Sequence, residues 1–550
     1  MAYFSQDDSP LKLFTPLEAG TLVATRLSGW ERLGDSFEFT VDLLAPPDAG
    51  IGFDKLLGKT ASVSVSLPGK LTRYYHGIIW DFSQGDTDDV AGHYTLMLRP
   101  RLALLGLTRQ SRIFQGMSAV AILREVLKPV GGGEFHISSS PPIRDTCAQY
   151  RETDLEFFLR LCGEEGIIHY WRHDSADHQL VLTDNSPVAP ALGEVEYDQT
   201  RGGNPSGCRI HAWKMTQSLS TTAVGLLDSH FQLFNQKLEG SANGPNKIMA
   251  GKLSLTPTGG PVTPWQEDQL SAARYFDGVN PSGGTESSAL SHIYSAQERQ
   301  SRILATAAAS GSVRARLLGN CCHLAPGHAF ALAHHPTQSG PWLVVEARHT
   351  VSVEGRFWLG EANQLRCEVT AEAAPVSLRQ LPWPPRPRPR VGGVQTAVVI
   401  GPSGQEMFTD PYGRVQVRFF WDRAEVVQTS CWLRVAQVWA GNSWGACFWP
   451  RVGHEVVVSF EDGDPDRPLI TGSVYNAANM PPFIMPDNQF LAGWKSLTEG
   501  GDPSKNFHHI LMSDEKHSEV VLIHAESTFI SHQESAQITM RPIQQIHFQG

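Results

Sequence analysis

The chain has 550 residues, 41% hydrophobic and 18% charged, an ordinary globular composition with room for roughly three to five domains. Its 45 Lys and Arg stand against 56 Asp and Glu, and a net charge of -11 repels a phosphate backbone, which excludes nucleic acid as a partner. No run approaches the ~18 apolar residues that span a bilayer. Met1 to Leu13 carries Asp7, Asp8 and Lys12 where a signal peptide is apolar, so cytoplasmic folding is expected. The eight cysteines contain no CxxC, and adjacent Cys321 and Cys322 could join only as a strained vicinal disulfide. They read as reduced, mostly buried thiols.

Strand-like alternation dominates. Phe37, Phe39 and Val41 alternate with polar neighbours, as do Val63 and Val65, so the fold class is mainly β with a few helices. Gly52 to Thr60 imitates a phosphate-binding loop, yet its glycine spacing is one residue too long and strand residues follow. A helix opens at Ser118, places Val120, Leu123 and Leu127 on one stripe and ends at Pro129. A second begins with a capping box of Thr153 and Glu156, with Leu155, Phe158, Leu159 and Cys162 at helical spacing and a stop at Gly163 or Gly166. Glu164 and Glu165, neighbours at its end, should point apart and carry no acid–base pair. Ile167 to Trp171 follows as a strand.

Residues 277–289 are turn formers without periodicity and read as an exposed loop. Residues 376–393 alternate Pro with Arg into a stiff polyproline-like connector, which divides residues 1–375 from 394–480. Five strands are expected beyond it: Thr396 to Ile400, Arg414 to Trp421, Cys431 to Val438, Glu455 to Phe460 and Leu469 to Val474. Five short strands suit an OB-fold barrel. Gly441-Asn442-Ser443-Trp444-Gly445 fits the nucleophile-elbow pattern but lacks the strand-to-helix context, so it reads as a turn. Glu461 to Asp466 concentrates carboxylates, yet Pro465 disagrees with a calcium loop, and a solvated hairpin turn is expected.

Several long runs resemble the VgrG family: Thr409-Asp-Pro-Tyr-Gly-Arg-Val-Gln-Val, Ser430-Cys-Trp-Leu-Arg-Val-Ala-Gln-Val-Trp-Ala-Gly, Pro450-Arg-Val-Gly-His-Glu-Val-Val-Val and Gly463-Asp-Pro-Asp-Arg-Pro. Gln149 to Ile167 and Leu324 to Phe330 look like that family's hub, while Val224 to Gly240 matches it less well. The resemblance covers nearly the whole chain. It implies a trimeric hub of tube-like β domains (residues 1–375), the connector (376–393), the OB barrel (394–480), a linker (481–507) and the start of an intertwined triple-stranded β-helical needle (508–550).

It further implies a non-enzymatic spike of the type VI secretion system that caps the expelled tube, punctures the target envelope mechanically and carries effectors or adaptors. Implied partners are two further copies of the chain, the hexameric tube ring, baseplate proteins and, if the needle is complete, a PAAR-type tip protein. Implied localisation is cytoplasmic at assembly, then secreted by the type VI system. A phage-derived tail spike shares the fold. A cell-wall hydrolase would need a domain between barrel and needle, and the roughly thirty residues from Asn476 to Phe507 are too few.

In the tail, Leu522, Ile530, Ile538 and Ile546 fall eight residues apart, and His524, His532, Met540 and Phe548 repeat that spacing two positions later. Burying four Leu or Ile side chains yields about 6–12 kcal/mol, against roughly 30–60 kcal/mol to order nearly thirty residues. Such rungs need partner chains. In a trimer the His524 and His532 imidazoles could converge on the axis around a transition metal. A register slip of one residue would instead turn them outward.

Overall fold

The computed structural model describes residues 5–530, apart from residue 7 and segments 68–70, 186–190, 200–206, 258–264, 269–286, 355–363, 383–385 and 424–431. Six strands open the chain: β1 (Leu11–Phe14), β2 (Val23–Arg32), β3 (Phe37–Ala45), β4 (Thr60–Leu67), β5 (Leu71–Thr87) and β6 (Gly92–Arg99). They pair in the order β1-β4-β5-β6-β3-β2. The expected alternation in β3 is present, with Phe37, Phe39, Val41 and Leu43 buried and their neighbours half-buried. Side chains two apart share a strand face, so one face of β3 lines the core.

Six more strands continue this sheet: β7 (Glu194–Tyr197), β8 (Arg209–Gln217), β9 (Val313–Gly319), β10 (Ala329–Ala333), β11 (Gly340–Glu354) and β12 (Gln364–Pro375). Their order is β11-β10-β7-β8-β9-β12, and β12 pairs back onto β11. That pairing closes a barrel and removes its free edges. Strand β11 joins the two halves: Leu343 to Gly340 pair with β10, whereas Glu346 to Ser352 pair with β2. One contiguous apolar core runs from Leu11 to Leu378.

Helix α1 (Ala119–Leu127) is capped by the Ser118 side chain, which accepts from the Ala121 N–H. Helix α2 (Asp154–Glu165) carries the expected capping box and ends at Gly166 in the left-handed region (φ 65). Its buried face is rotated from the expected stripe: Phe157, Phe158, Leu161 and Cys162 are buried, while Leu155 and Leu159 are half-buried. Arg160 and Glu164 are buried as well, in ion pairs, while Glu156 stays exposed. A third helix, α3 (Ser287–Ala309), corrects the expected loop at 277–289. Residues 277–286 lie outside the described residues, and 287–289 form the first turn of α3. Its packed face sets Gln297, Ser301, Ala305 and Ala307–Ala309 among Ile293, Ile303 and Leu304, and the small and polar side chains blur hydrophobic periodicity. A Cβ at Gly240 would meet the Gln297 carbonyl at 3.0 Å, so neighbouring strand and helix approach closely there.

Among the described residues 376–393 there is no helix or strand. Beyond them come β13 (Gln395–Ile400), β14 (Gln416–Phe419), β15 (Arg434–Val435), β16 (Glu455–Phe460) and β17 (Pro468–Val474), ordered β14-β13-β16-β17-β15. A Val415–Leu433 bridge closes the ring beside β14. This barrel has its own core, built from Ala397, Val399, Val417, Leu433, Val456, Val458 and Ile470 with their neighbours. The expected third strand, Cys431 to Val438, shrinks to Arg434–Val435. Past it the chain leaves the sheet and Val438 is 87% exposed.

The expected linker 481–507 also needs correction. Strand β18 (Leu491–Lys495) lies inside it and pairs with β19 (His509–Ser513), which pairs with β20 (Val520–His524). This meander buries Ser513 alone among its strand residues, so a single chain supplies it no core.

Candidate functional site

The junction between hub and barrel is built on the C-terminal end of α2. Arg144, 1% exposed, reaches Glu164 with Nη1 at 2.9 Å and Glu165 with Nη2 at 2.5 Å. The two carboxylates expected to diverge are therefore gathered by one guanidinium. Arg160 clamps Glu152 through two bonds of 2.8 Å and reaches Glu164 at 3.1 Å. Arg299 of α3 binds Glu165, and Arg388 of the connector binds Glu164 at 3.0 Å. Carboxylates at a helix C-terminus face the negative end of its dipole, and buried charge is expensive unless paired. The guanidiniums offset both costs and tie α2 to the preceding strand, to α3 and to the connector.

The barrel meets this network through its acidic turn. Asp464 pairs with Arg388 at 3.7 Å, and Asp466 accepts the Ala148 N–H at 2.6 Å. Glu461 takes Arg434 and Arg467 at 2.5 Å each. The expected solvated hairpin is instead a turn docked on the hub, with Asp466 7% exposed. Nearby, the buried Asp410–Arg414 pair (2.7 Å) explains part of the Thr409-Asp-Pro-Tyr-Gly-Arg run. Asp410 also accepts the N–H groups of Tyr412 and Arg414. Gly413 sits at φ 67, where a Cβ would strike Trp449 at 2.3 Å.

The segment after strand Ala223–Asp228 completes the joint. Phe231 lies under two barrel guanidiniums, Arg414 at 5.2 Å and Arg434 at 5.3 Å, a cation–π arrangement. Asp228 holds Arg467 at 3.7 Å. A cavity of about 350 Å³ remains between Ser229, His230, Trp432 and Arg467.

A second feature is an exposed apolar stripe running from barrel to meander. It includes Trp439 (63% exposed), Trp444 (59%), Trp494 (60%), Ile523 (55%) and Phe529 (67%), and Phe448 stacks on Trp494 with ring centres 6.2 Å apart. Trp439 packs on Trp444 with ring centres 5.0 Å apart, while Trp494, Ile523 and Phe529 line one hollow, and exposed apolar surface of this kind suits a protein contact.

His524 lies at the end of β20, exposed, directly opposite His509, with ring centres 5.4 Å apart and Phe507 beside both. Its partner in the octad series, His532, lies outside the described residues, as do Ile538, Met540, Ile546 and Phe548. Leu522 and Ile530 are exposed.

Ser443 occupies the tip of a hairpin pairing Ala440–Gly441 with Trp444–Gly445, at φ 65 and exposed, and a strand rather than a helix follows. Gly52 leads into a short 3-10 turn and then β4.

Sequence reasoning missed one group of donors. Among the described residues His76, Asp177 and His178 are the trio whose ligand atoms converge within 4.8 Å. The His76 and His178 Nδ1 atoms are 2.8 Å apart, and the Arg101 backbone N–H donates to His178 Nε2 at 2.9 Å. The His178 proton therefore sits on Nδ1 and is donated to His76. Burial lowers both imidazoles below the ordinary histidine range, and Asp177 is bound by Arg101. Hydrogen bonding already occupies these donors.

The model of the phage tail baseplate hub matches residues 30–355, and that of the type VI secretion system/phage-baseplate injector OB domain matches 407–475. The chain is 35% identical over 534 residues to type VI secretion system spike protein VgrG1b of Pseudomonas aeruginosa, covering 95% of this chain and 68% of that one. It is 36% identical over 528 residues to VgrG1a of the same organism, covering 93% and 76%. The solved structure of the E. coli c3393 protein, a type VI component similar to T4 tail proteins gp27 and gp5, shares the fold. Its TM-score is 0.57 at 19% identity, covering 84% of this chain and 100% of that one. A closed hub barrel, an OB barrel welded to it and this identity across both together place the chain in the VgrG family of type VI secretion system spike proteins.

Proposed function

We propose that three copies of this chain form a spike that caps the expelled tube of the type VI system, punctures the target envelope mechanically and carries effectors or adaptors, without catalysing a reaction itself. The observation that carries this reading is the apolar stripe through Trp439, Trp494, Ile523 and Phe529. A single chain leaves it in water, whereas threefold association buries it. The buried ion-pair joint suits the task, because a puncturing device must pass axial load from hub to barrel without hinging.

In this reading residues 1–375 meet the tube ring and baseplate, 394–480 form the barrel, and the chain beyond 508 opens a needle that, if complete, takes a PAAR-type tip protein. Assembly occurs in the cytoplasm and export follows through the type VI machine. An axial metal held by copies of His524 and His532 belongs to the same proposal.

Light scattering on the purified protein tests it. Three times the 60.4 kDa chain mass is expected; a folded monomer at micromolar concentration overturns it. A phage-derived tail spike would use the same fold, and neighbouring genes for a secretion baseplate or a phage tail separate the two. A cell-wall digestion assay should show no turnover.

A further inference from the structure

Four cysteines meet at one end of the closed hub barrel. Strands β8 and β9 pair with Ile210 opposite Gly319. The ladder continues outward, since the Asn320 N–H donates to the Arg209 carbonyl at 3.1 Å and the Arg209 N–H to Asn320 Oδ1 at 2.7 Å. The next step sets Cys208 opposite Cys321. Opposed residues of antiparallel strands have Cα atoms about 4.5–5.5 Å apart, within the roughly 4.4–6.8 Å that a disulfide spans. The backbones are tightly apposed here: a Cβ at Gly319 would meet the Arg209 carbonyl at 2.3 Å.

Cys322 finds a different neighbour. The chain turns after Asn320, where the Cys322 N–H donates to the Asn320 carbonyl at 3.0 Å, and this turn carries Cys322 toward β12. There its sulfur lies 3.9 Å from the Glu368 carbonyl and its thiol meets that of Cys367. The Tyr75 hydroxyl donates to the Cys322 carbonyl at 3.2 Å and anchors the turn. Each pair joins a buried thiol, Cys321 or Cys322, to a half-exposed one, Cys208 or Cys367.

We propose that these cysteines are a double dithiol site, oxidised by a disulfide such as glutathione disulfide to Cys208–Cys321 and Cys322–Cys367 bridges that staple β8, β9 and β12. In each pair the half-exposed thiolate attacks one sulfur of the oxidant, whose S–S bond breaks and releases one thiolate. The buried thiol then loses its proton and attacks the mixed disulfide, expelling the second thiolate. Two electrons and two protons leave the chain per bridge, and the oxidant becomes two thiols.

The local electrostatics favour this order. Hydrogen bonds from Cys321 and His323 hold the Cys208 thiol well below the ordinary range, and a bond from Cys322 lowers Cys367. Their partners are pushed up, first by those same bonds and then by burial. Low-pKa, accessible thiols beside a second cysteine are the reactive kind. Among the described residues no three thiol or imidazole donors here converge closely enough for a shared metal. The inference rests on this geometry and not on the spike reading. Such bridges would form wherever the chain meets oxidising surroundings.

The test treats the purified full-length protein with glutathione disulfide and maps it by non-reducing peptide mass spectrometry. The expected result is loss of two hydrogens per bridge, with the Cys208 and Cys367 peptides both linked to the peptide carrying Cys321 and Cys322. Cys208→Ser should retain the Cys322–Cys367 bridge alone, and Cys367→Ser the Cys208–Cys321 bridge alone. Lasting glutathione adducts on Cys208 and Cys367 without cross-links, or a vicinal Cys321–Cys322 bridge, overturn the proposal. His323→Ala should move the pH profile of Cys208 alkylation upward while leaving that of exposed Cys447 in place; an unmoved Cys208 profile removes His323 from the site.

Discussion

The backbone N–H of Ala148 donates to the Asp466 carboxylate at 2.6 Å, joining two residues 318 positions apart. Ala148 also offers its carbonyl to Arg160, so the backbone of one residue ties the barrel's acidic turn to the ion-pair network on α2. Asp466→Ala leaves that N–H buried and unpaired and should cost about 1–3 kcal/mol. Arg144→Met removes the one guanidinium shared by buried Glu164 and Glu165, leaving Glu164 to Arg160 and Arg388 and Glu165 to Arg299, and should cost more, roughly 3–5 kcal/mol. Urea unfolding of both variants at one protein concentration checks the ranking; equal, small losses would contradict the network.

Acid should weaken the hub before it affects the barrel. Burial holds His169 down at about 4 and His173 at about 3, below the ~6.5 of an unfolded histidine. The unfolded chain therefore takes up protons that the native chain refuses. The stabilisation is full above about pH 6.5 and is lost as pH falls from there toward the folded values, by about 1.4 kcal/mol per pH unit for each such histidine. His169→Gln, which keeps a polar group near the Asp35 carbonyl bonded at 3.0 Å, should flatten the slope between about pH 6.5 and 4. An unchanged slope in urea midpoints across that window would show that His169 titrates normally.

Ser443 should be dispensable. It stands exposed at a hairpin tip with φ 65, a backbone region in which glycine is at ease and other residues are strained. Ser443→Ala should leave secretion and target killing unchanged, and Ser443→Gly should stabilise slightly, by under about 1 kcal/mol. Loss of killing in the alanine variant with intact trimers would restore a chemical role for the serine.

Association should depend on the apolar stripe. Placing a charge in it through Ile523→Asp requires burying a carboxylate at the proposed contact, and the scattering mass is expected to drop toward that of one chain. A retained trimer would move the interface elsewhere.

Metal in the needle is read by elemental analysis of the purified trimer. One transition-metal ion per three chains is expected, lost with His524→Ala and His532→Ala together along with needle thermal stability. Metal-free trimers would leave an octad helix without an ion.

Much of this architecture is written in local spacing. Alternation in Phe37 to Val41, the Thr153–Glu156 capping box and the runs Glu455 to Phe460 and Leu469 to Val474 each lie within one element, where a period of 2 or 3.6 reveals which face is buried. Long matching runs such as Thr409 to Val417 added the family and, through it, the module order. Helix α3 escaped because Ala, Ser and Gln interrupt the apolar positions of its packed face, Ile293, Ile303 and Leu304. The acidic turn at 461–466 looked solvated because its neighbours in sequence are polar, while its partners, Ala148, Arg388 and Arg434, are brought there only by folding. Glu164 and Glu165 looked divergent because helix geometry alone separates them, until Arg144 reaches both. Cys208 and Cys367 stand 113 and 45 residues from the Cys321–Cys322 turn, distances that carry no spacing signature. Hydrophobic periodicity acts between near neighbours along the chain, whereas ion pairs and thiol pairs depend on where distant strands come to lie, and that is decided by sheet order and barrel closure.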